Sequence, residues 1–175
     1  MNIKLGFELE YQRKIYETIV NNPGIHFREL SRITNIQIGV LEYHLHNLEK
    51  SELIVSKIDG KYRRYYASNT HSPEERYILG ILRQDIPRRI VIILLEKKLV
   101  SAKDINKELK LTNASLAYYL KKLLNYNIIE YKIENDEKLY FSKSPEKIAN
   151  VLIRYRRTFI DKLIDSFVDL WLSDK

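Results

Sequence analysis

The sequence predicts a mainly α-helical protein with small β-hairpins, built from two copies of one arrangement and a long C-terminal helix. Leu41, Leu45 and Leu48 recur at the spacing of one helix face. After them, two runs rich in β-branched and aromatic residues flank Asp59-Gly60, a pattern typical of a β-hairpin. Both patterns return 75 residues later, so the elements are expected to occur twice.

The first half contains the elements of a winged helix-turn-helix domain in order. Residues 9–20 are predicted to form a helix, which ends before the helix-breaking pair Pro23-Gly24. Ile25 is expected to form a short strand that pairs with the later hairpin. Helices are then expected at residues 27–33 and 37–50, and the hairpin at residues 53–66. Two helices joined by a turn and followed by a basic hairpin have the layout of this domain.

Three segments, residues 22–30, 43–49 and 63–66, carry a resemblance to a known family. They resemble archaeal winged-helix transcriptional regulators, which lie near the bacterial ArsR and MarR groups. The resemblance covers residues 10–68 and, more weakly, residues 85–145. It implies sequence-specific binding to double-stranded DNA, usually as a dimer. One archaeal regulator of similar layout activates archaellum genes, and the choice between activator and repressor stays open.

The second half repeats the first at one fixed offset, as the pair Tyr43 and Tyr118 illustrates. Core leucines of the two predicted recognition helices coincide at this offset, and Thr112 is expected to cap the second one. We therefore predict two tandem winged helix-turn-helix domains. The predicted boundaries are residues 1–71 for the first domain, 72–86 for a linker helix, 87–143 for the second domain and 144–175 for a C-terminal dimerisation helix.

The exposed face of the first recognition helix is expected to read base edges, because Gln and Asn side chains pair with adenine and Ile can touch a thymine methyl. Arg28 and Arg32 are expected to contact phosphates. The alternative is a winged helix that contacts only proteins. The predicted base-reading residues are Gln37, Ile38, Gly39, Glu42, Tyr43, His46 and Asn47.

The two hairpin wings differ in charge. The first carries Lys57, Lys61, Arg63 and Arg64 against Asp59, which suits contact with phosphates or a narrow minor groove. The second carries four carboxylates against two lysines between residues 130 and 138. We therefore expect the first domain to supply most wing contacts. The second recognition helix still offers Asn113, Ser115, Tyr118, Lys121 and Lys122.

A single helix is expected from about Pro145 to Leu172, with apolar residues on more than one side. Such a helix needs cover, either from a second copy of the chain or from its own chain. We favour a homodimer. The predicted interface residues are Ile153, Ile160, Leu163, Phe167, Leu170 and Trp171.

Composition restricts the function classes. The 175 residues carry 30 Lys and Arg against 23 Asp and Glu, and the net charge of +7 favours a polyanionic partner. Without cysteine there is no thiol nucleophile or Cys-rich metal site, and His44 and His46 face different directions on a helix. We expect no metal, no cofactor and no enzymatic activity, because Gly-rich phosphate loops and hydrolase motifs are absent.

The expected partners are therefore double-stranded DNA and a second copy of the chain, with basal transcription factors or RNA polymerase also open. No signal peptide and no apolar run of about 18 residues is present, so a cytoplasmic protein without a membrane segment is expected. The alternative function is a protein–protein interaction module of the basal transcription or chromosome machinery.

Overall fold

The computed structural model describes residues 3–159 and 162–173, with the side chains of residues 8–159 and 164–173. The chain divides into two compact units, Met1–Gly80 and Ile81–Lys175. The predicted mainly helical fold with small β-hairpins is confirmed.

The first unit contains three helices and a three-stranded antiparallel sheet in the order β1-β3-β2. The apolar faces of the helices enclose a core with the sheet, and the fully buried core residues include Ile15, Leu30 and Leu41. A further helix, α4 (Pro73–Leu82), contains the point where the two units divide. The elements are α1 (Ile3–Asn21), β1 (Ile25–His26), α2 (Phe27–Thr34), α3 (Ile38–Lys50), β2 (Ile54–Asp59) and β3 (Tyr62–Ala67).

The predicted pairing of Ile25 with the wing is confirmed, since Ile25 lies opposite Tyr65 in the sheet. The hairpin turn lies one residue later than the sequence indicates. Asp59 pairs with Tyr62, so the two turn residues are Gly60 and Lys61. Gly60 has a φ of +59° at the first turn position, where a type II′ turn needs a positive φ.

The second unit repeats this arrangement with a sheet in the order β4-β6-β5. The elements are α5 (Asp85–Lys97), β4 (Val100–Ser101), α6 (Ala102–Leu109), α7 (Asn113–Asn125), β5 (Ile129–Glu134), β6 (Glu137–Ser142), α8 (Pro145–Tyr155), a 3-10 turn (Arg156–Thr158) and α9 (Lys162–Ser173).

The repeat is kept residue by residue. Each of β4, α6, α7, β5 and β6 begins and ends 75 positions after β1, α2, α3, β2 and β3, respectively. Left-handed residues recur at the same offset, as Asn35 and Lys110 show after α2 and α6. The second hairpin turns at Asn135-Asp136, with positive φ at both residues, as a type I′ turn requires.

The prediction of one continuous C-terminal helix is wrong. The segment divides into α8 and α9, and the chain becomes extended at Phe159, with φ −98° and ψ 108°. Phe159 is 6% exposed, so the break buries an aromatic side chain, and α9 then packs against both α5 and α8. Folding the segment back covers apolar surface that one straight helix would leave open. Among the residues that the structure describes, no helix is long and apolar enough to cross a membrane.

Candidate nucleic-acid interface

Helix α3 presents most of the predicted base-reading residues to solvent. Leu41, Leu45 and Leu48 face the core, and the opposite side carries Ile38 and Tyr43, which are 61% and 54% exposed. Asn47 is only half-buried rather than exposed. The other predicted residues, Gln37, Gly39, Glu42 and His46, are exposed. Aromatic, amide, imidazole and carboxylate groups therefore share one solvent-facing surface.

Helix α2 is joined to the wing by His26, which the sequence reasoning missed. The backbone N–H of Glu29 donates to Nδ1 of His26 at 3.3 Å, so the imidazole caps α2. The His26 ring stacks on Tyr62 of β3, with centroids 5.0 Å apart. The internal repeat could have indicated this capping role. His26 lies 75 positions before Ser101, and Ser101 caps α6 in the same way. Arg28 and Arg32 are exposed, as their predicted phosphate contacts require.

Arg64 is buried within the first unit, whereas the sequence-based prediction placed it among the exposed DNA-contacting residues of the wing. Its side chain is 3% exposed, its Nε lies 2.8 Å from a carboxylate oxygen of Asp59, and its Nη1 donates to the Gly24 carbonyl at 2.9 Å. Gly80 of α4 covers it, since a Cβ placed on Gly80 would approach Cδ of Arg64 to 3.3 Å. Alternation along β3 places Arg63 and Arg64 on opposite faces of the sheet, and Gly80 lies against the face that carries Arg64.

Arg63 lies on the outer face of the wing, but its charge is already paired. Its Nη2 lies 3.0 Å from both carboxylate oxygens of Glu49, and its Nε donates to Oγ of Ser56 at 2.8 Å. Beside it, burial raises the pKa of Tyr65, which keeps the phenol neutral. Lys57 lies 3.2 Å from the centre of the Tyr77 ring.

The wing therefore offers less positive charge than four basic residues suggest. Lys61 stands exposed at the turn, 5.4 Å from the Tyr62 ring.

His44 is a core residue of α3 rather than part of its exposed face. It is 2% exposed, and its ring lies near those of Tyr11 and Tyr43. Nδ1 has no hydrogen-bond partner. Burial lowers the pKa of His44 and outweighs the opposing influence of Glu8, so the neutral imidazole is favoured. His44 and His46 are two positions apart on α3, so their rings point in different directions. The described residues include no group of three or more His, Cys, Asp or Glu side chains that could hold a metal ion.

Comparison with known proteins gives a match for the first unit. Residues 9–79 match a family model described as an N-terminal HTH (helix-turn-helix) domain. An uncharacterised HTH-type transcriptional regulator of Methanocaldococcus jannaschii is 35% identical over 130 residues, which are 74% of this chain and 32% of that protein. This chain thus spans about a third of the length of that curated relative.

Among solved structures, a conserved hypothetical protein from Chlorobium tepidum aligns with 85% of this chain and 99% of its own. The sequence identity is 13% and the TM-score is 0.31, which is too low to bear on the fold.

In the second unit, α7 occupies the position equivalent to that of α3 in the first unit. Thr112 caps this helix, because its Oγ1 accepts from the backbone N–H of Ser115 at 3.2 Å. Tyr118 is 61% exposed, and Asn113 and Lys121 are also exposed. Two of the predicted residues are partly engaged within the unit, since Ser115 is half-buried at the cap and Lys122 donates to Gln84 at 2.9 Å.

The predicted dimer residues have different surroundings. Phe167 is 1% exposed within one copy of the chain, so it packs in the core of the second unit. Ile153 and Trp171 are half-buried, and Leu170 is 51% exposed. Ile160 and the side chain of Leu163 lie outside the described residues. Among the predicted residues whose side chains are described, Leu170 is therefore the most available to a second copy.

Proposed function

We propose that this chain is a transcriptional regulator that binds duplex DNA and reads its sequence with α3, as its resemblance to ArsR- and MarR-like proteins implies. The main observation in support is the exposed face of α3. Gln37, Ile38, Tyr43 and His46 are exposed to solvent there, within the segment that matches the HTH domain model. The name of the Methanocaldococcus jannaschii relative supports the same class. In this proposal the protein is cytoplasmic and regulates transcription by occupying a DNA site, without catalysing a reaction.

The dimensions of α3 suit this role. A helix of 13 residues is about 20 Å long and enters a major groove about 12 Å wide. Gln37 at the start of the helix is placed to pair with adenine, Ile38 to touch a thymine methyl and Glu42 to accept from cytosine. The exposed Arg28 and Arg32 on α2 then lie against the adjoining phosphates.

The regulator acts as a homodimer in this proposal. Two copies related by a two-fold axis would read a pseudo-palindromic site whose half-sites lie about one helical turn, or a multiple of it, apart. The exposed Leu170 on α9 supports such an association. RNA polymerase or a basal transcription factor is the proposed protein partner. Whether the protein activates or represses transcription depends in this proposal on where its site lies in a promoter.

A protein–protein interaction module is the second candidate function. Two carboxylates near the exposed face of α3 favour this candidate. Glu42 is exposed on the helix, and Glu49 pairs with Arg63 of the wing. Carboxylates at these positions repel the phosphates of DNA. Direct binding to DNA separates the two candidates.

The test is selection of the full chain on a randomised duplex DNA library at two salt concentrations. A two-fold-symmetric enriched motif, bound more weakly at the higher salt, is the expected result. The variant Gln37→Ala should change the preferred base at one position of each half-site, while Glu10→Ala on α1, exposed but outside the α3 surface, should leave the motif unchanged. Absence of binding at both salts would contradict the proposal and favour the protein–protein module.

A further inference from the structure

A groove of about 800 Å³ lies in the second unit between α6, α7 and β6. Its cationic lining consists of Lys103, Lys107, Lys121 and Lys138, and the amides of Asn106 and Asn113 lie between them. No carboxylate is present among the described residues that line it. A concave surface with ammonium and amide donors and without acids suits a polyanion.

The HTH domain provides an internal comparison, because positions 75 residues apart occupy equivalent places in the two units. Lys138 corresponds to Arg63, which Glu49 pairs in the first unit. The position equivalent to Glu49 holds Leu124, and the position equivalent to Glu42 holds Ala117. The second unit therefore has lysines at the positions of Arg28, Arg32 and Arg63 and apolar residues in place of both carboxylates.

Among the residues that the structure describes, a carboxylate pairs with a groove lysine at Lys107. The Nζ of Lys107 lies 2.7 Å from Asp104, and the hydrogen bonds from Lys107 and Ser101 hold the pKa of Asp104 below its ordinary value, so this carboxylate stays ionised. Lys138 lies over the Tyr131 ring at 4.4 Å.

The acidic wing is itself partly neutralised outside the groove. Glu130 pairs with Lys143 at 3.0 Å, and Glu134 pairs with Lys132 at 2.5 Å. The negative charge of the wing therefore opposes phosphate less than the sequence suggests.

We propose that this groove binds the phosphate backbone of duplex DNA and supplies most of the sequence-independent affinity of the chain. This inference rests on the proposed function and divides it between the units: α3 of the HTH domain reads bases, and the groove of the second unit holds the backbone. It adds a backbone site in the second unit to the sequence-based expectation that the first domain supplies most of the wing contacts with DNA. Arg64 is buried and Arg63 is paired in the first wing, whereas Lys103, Lys121 and Lys138 line the groove.

The experiment compares two charge-matched double variants of the full chain on a duplex of mixed sequence, by fluorescence anisotropy over a series of salt concentrations. K121Q/K138Q removes two groove cations. K14Q/K97Q removes two cations outside it, one on α1 and one paired with Glu108 on the surface. Each lost phosphate contact makes the slope of log K against log salt less steep by about 0.9. The slope of K121Q/K138Q should therefore be less steep than that of the wild type by roughly 2. This variant should also bind at least about tenfold more weakly at about 0.1 M salt. The control variant should keep the wild-type slope.

A third variant, Ala117→Glu, restores the acid of the first unit at an exposed helix position that accepts a glutamate, so it should fold and weaken binding severalfold. The motif selected from the randomised library should stay the same in all three variants.

The outcomes separate the two proposals. If the wild-type chain selects a motif but K121Q/K138Q keeps its slope, the groove assignment is overturned and the base-reading role stands. If the wild-type chain binds single-stranded RNA more tightly than duplex DNA, and that binding depends on the groove lysines, the duplex assignment is overturned. If the wild-type chain binds no duplex DNA, both proposals fail.

Discussion

Nη2 of Arg63 lies 3.0 Å from both carboxylate oxygens of Glu49, which ties the outer face of the wing to the last turn of α3. The pair is partly exposed, with 51% of the Arg63 side chain and 24% of the Glu49 side chain accessible. An exposed pair contributes at most about 1 kcal/mol to stability. We expect its larger effect to be on DNA binding, because the pair neutralises a wing cation on the proposed DNA surface.

Glu49→Gln should therefore strengthen DNA binding rather than weaken it. The variant removes a negative charge and releases the guanidinium of Arg63 for a phosphate, which should raise the salt slope by about 0.9 and the affinity roughly fivefold at about 0.1 M salt. Fluorescence anisotropy with the selected duplex measures both values. Glu10→Gln, an equal charge change on α1, should have little effect. Weaker binding by the Glu49 variant would show that the pair positions α3 for DNA.

Arg64→Met should destabilise the protein strongly. The substitution removes the ion pair with Asp59, whose side chain is 14% exposed, and the donor to the Gly24 carbonyl. Breaking one partner of a buried ion pair costs about 3–5 kcal/mol, which urea unfolding of the full chain would show as a lower midpoint. Arg63→Met is the matched control one residue away and should cost less than about 1 kcal/mol. If Arg64→Met kept the wild-type midpoint and lost only DNA binding, Arg64 would be an interface residue after all.

The contrast between these two arginines shows what the sequence could predict. Leucine spacing, turn residues and a fixed offset were sufficient for the order of elements and for the exposed face of α3, because those patterns follow from helix and strand periodicity. Which of Arg63 and Arg64 faces solvent depends on the hairpin register and on Gly80 of α4, a residue distant in sequence. Similarly, apolar periodicity continues through the break between α8 and α9, where no Pro or Gly marks the helix end.

Gln37→Thr should stabilise the first unit at a cost to recognition. Gln37 precedes α3 without a side-chain cap, whereas Thr112 caps α7 from nearly the same backbone conformation, with φ and ψ of −68° and 149° against −58° and 143° for Gln37. A threonine there should accept from the N–H of Val40 and add about 0.5–1 kcal/mol to the free energy of unfolding. The same variant should relax the base preference that Gln37 provides, because a side chain kept for binding often costs stability.

Urea unfolding and library selection measure the two effects of Gln37→Thr separately. Thr112→Gln, the reverse exchange in the second unit, should lower the free energy of unfolding by a similar amount. A stabilised Gln37→Thr protein with an unchanged motif would remove Gln37 from the base-reading set.

His44 should make stability depend on pH. Burial lowers its folded pKa below the ordinary value of 6.5, so the unfolded chain binds more protons between the two values. The contribution of neutral His44 is therefore complete above pH 6.5 and is lost as the pH falls through the folded pKa. His44→Phe keeps a ring between Tyr11 and Tyr43 and cannot be protonated. Thermal unfolding between pH 5 and 8 should show a flatter profile for the variant, and an identical profile would mean that other groups cause the dependence.

The exposed residues of α9 provide the test of association. Leu170 is 51% exposed and Phe167 is 1% exposed, although both belong to the predicted interface. Leu170→Glu should shift a dimer to monomer in sedimentation velocity at several concentrations and leave the unfolding midpoint close to that of the wild type. Phe167→Ala should instead lower the free energy of unfolding by about 3–5 kcal/mol, because it removes a buried aromatic ring. Asn150→Glu adds the same charge at an exposed position of α8 and should leave the dimer intact. A dimer that survives Leu170→Glu would place the interface elsewhere, and a wild-type protein that is monomeric at every concentration would contradict the proposed two-fold mode of DNA reading.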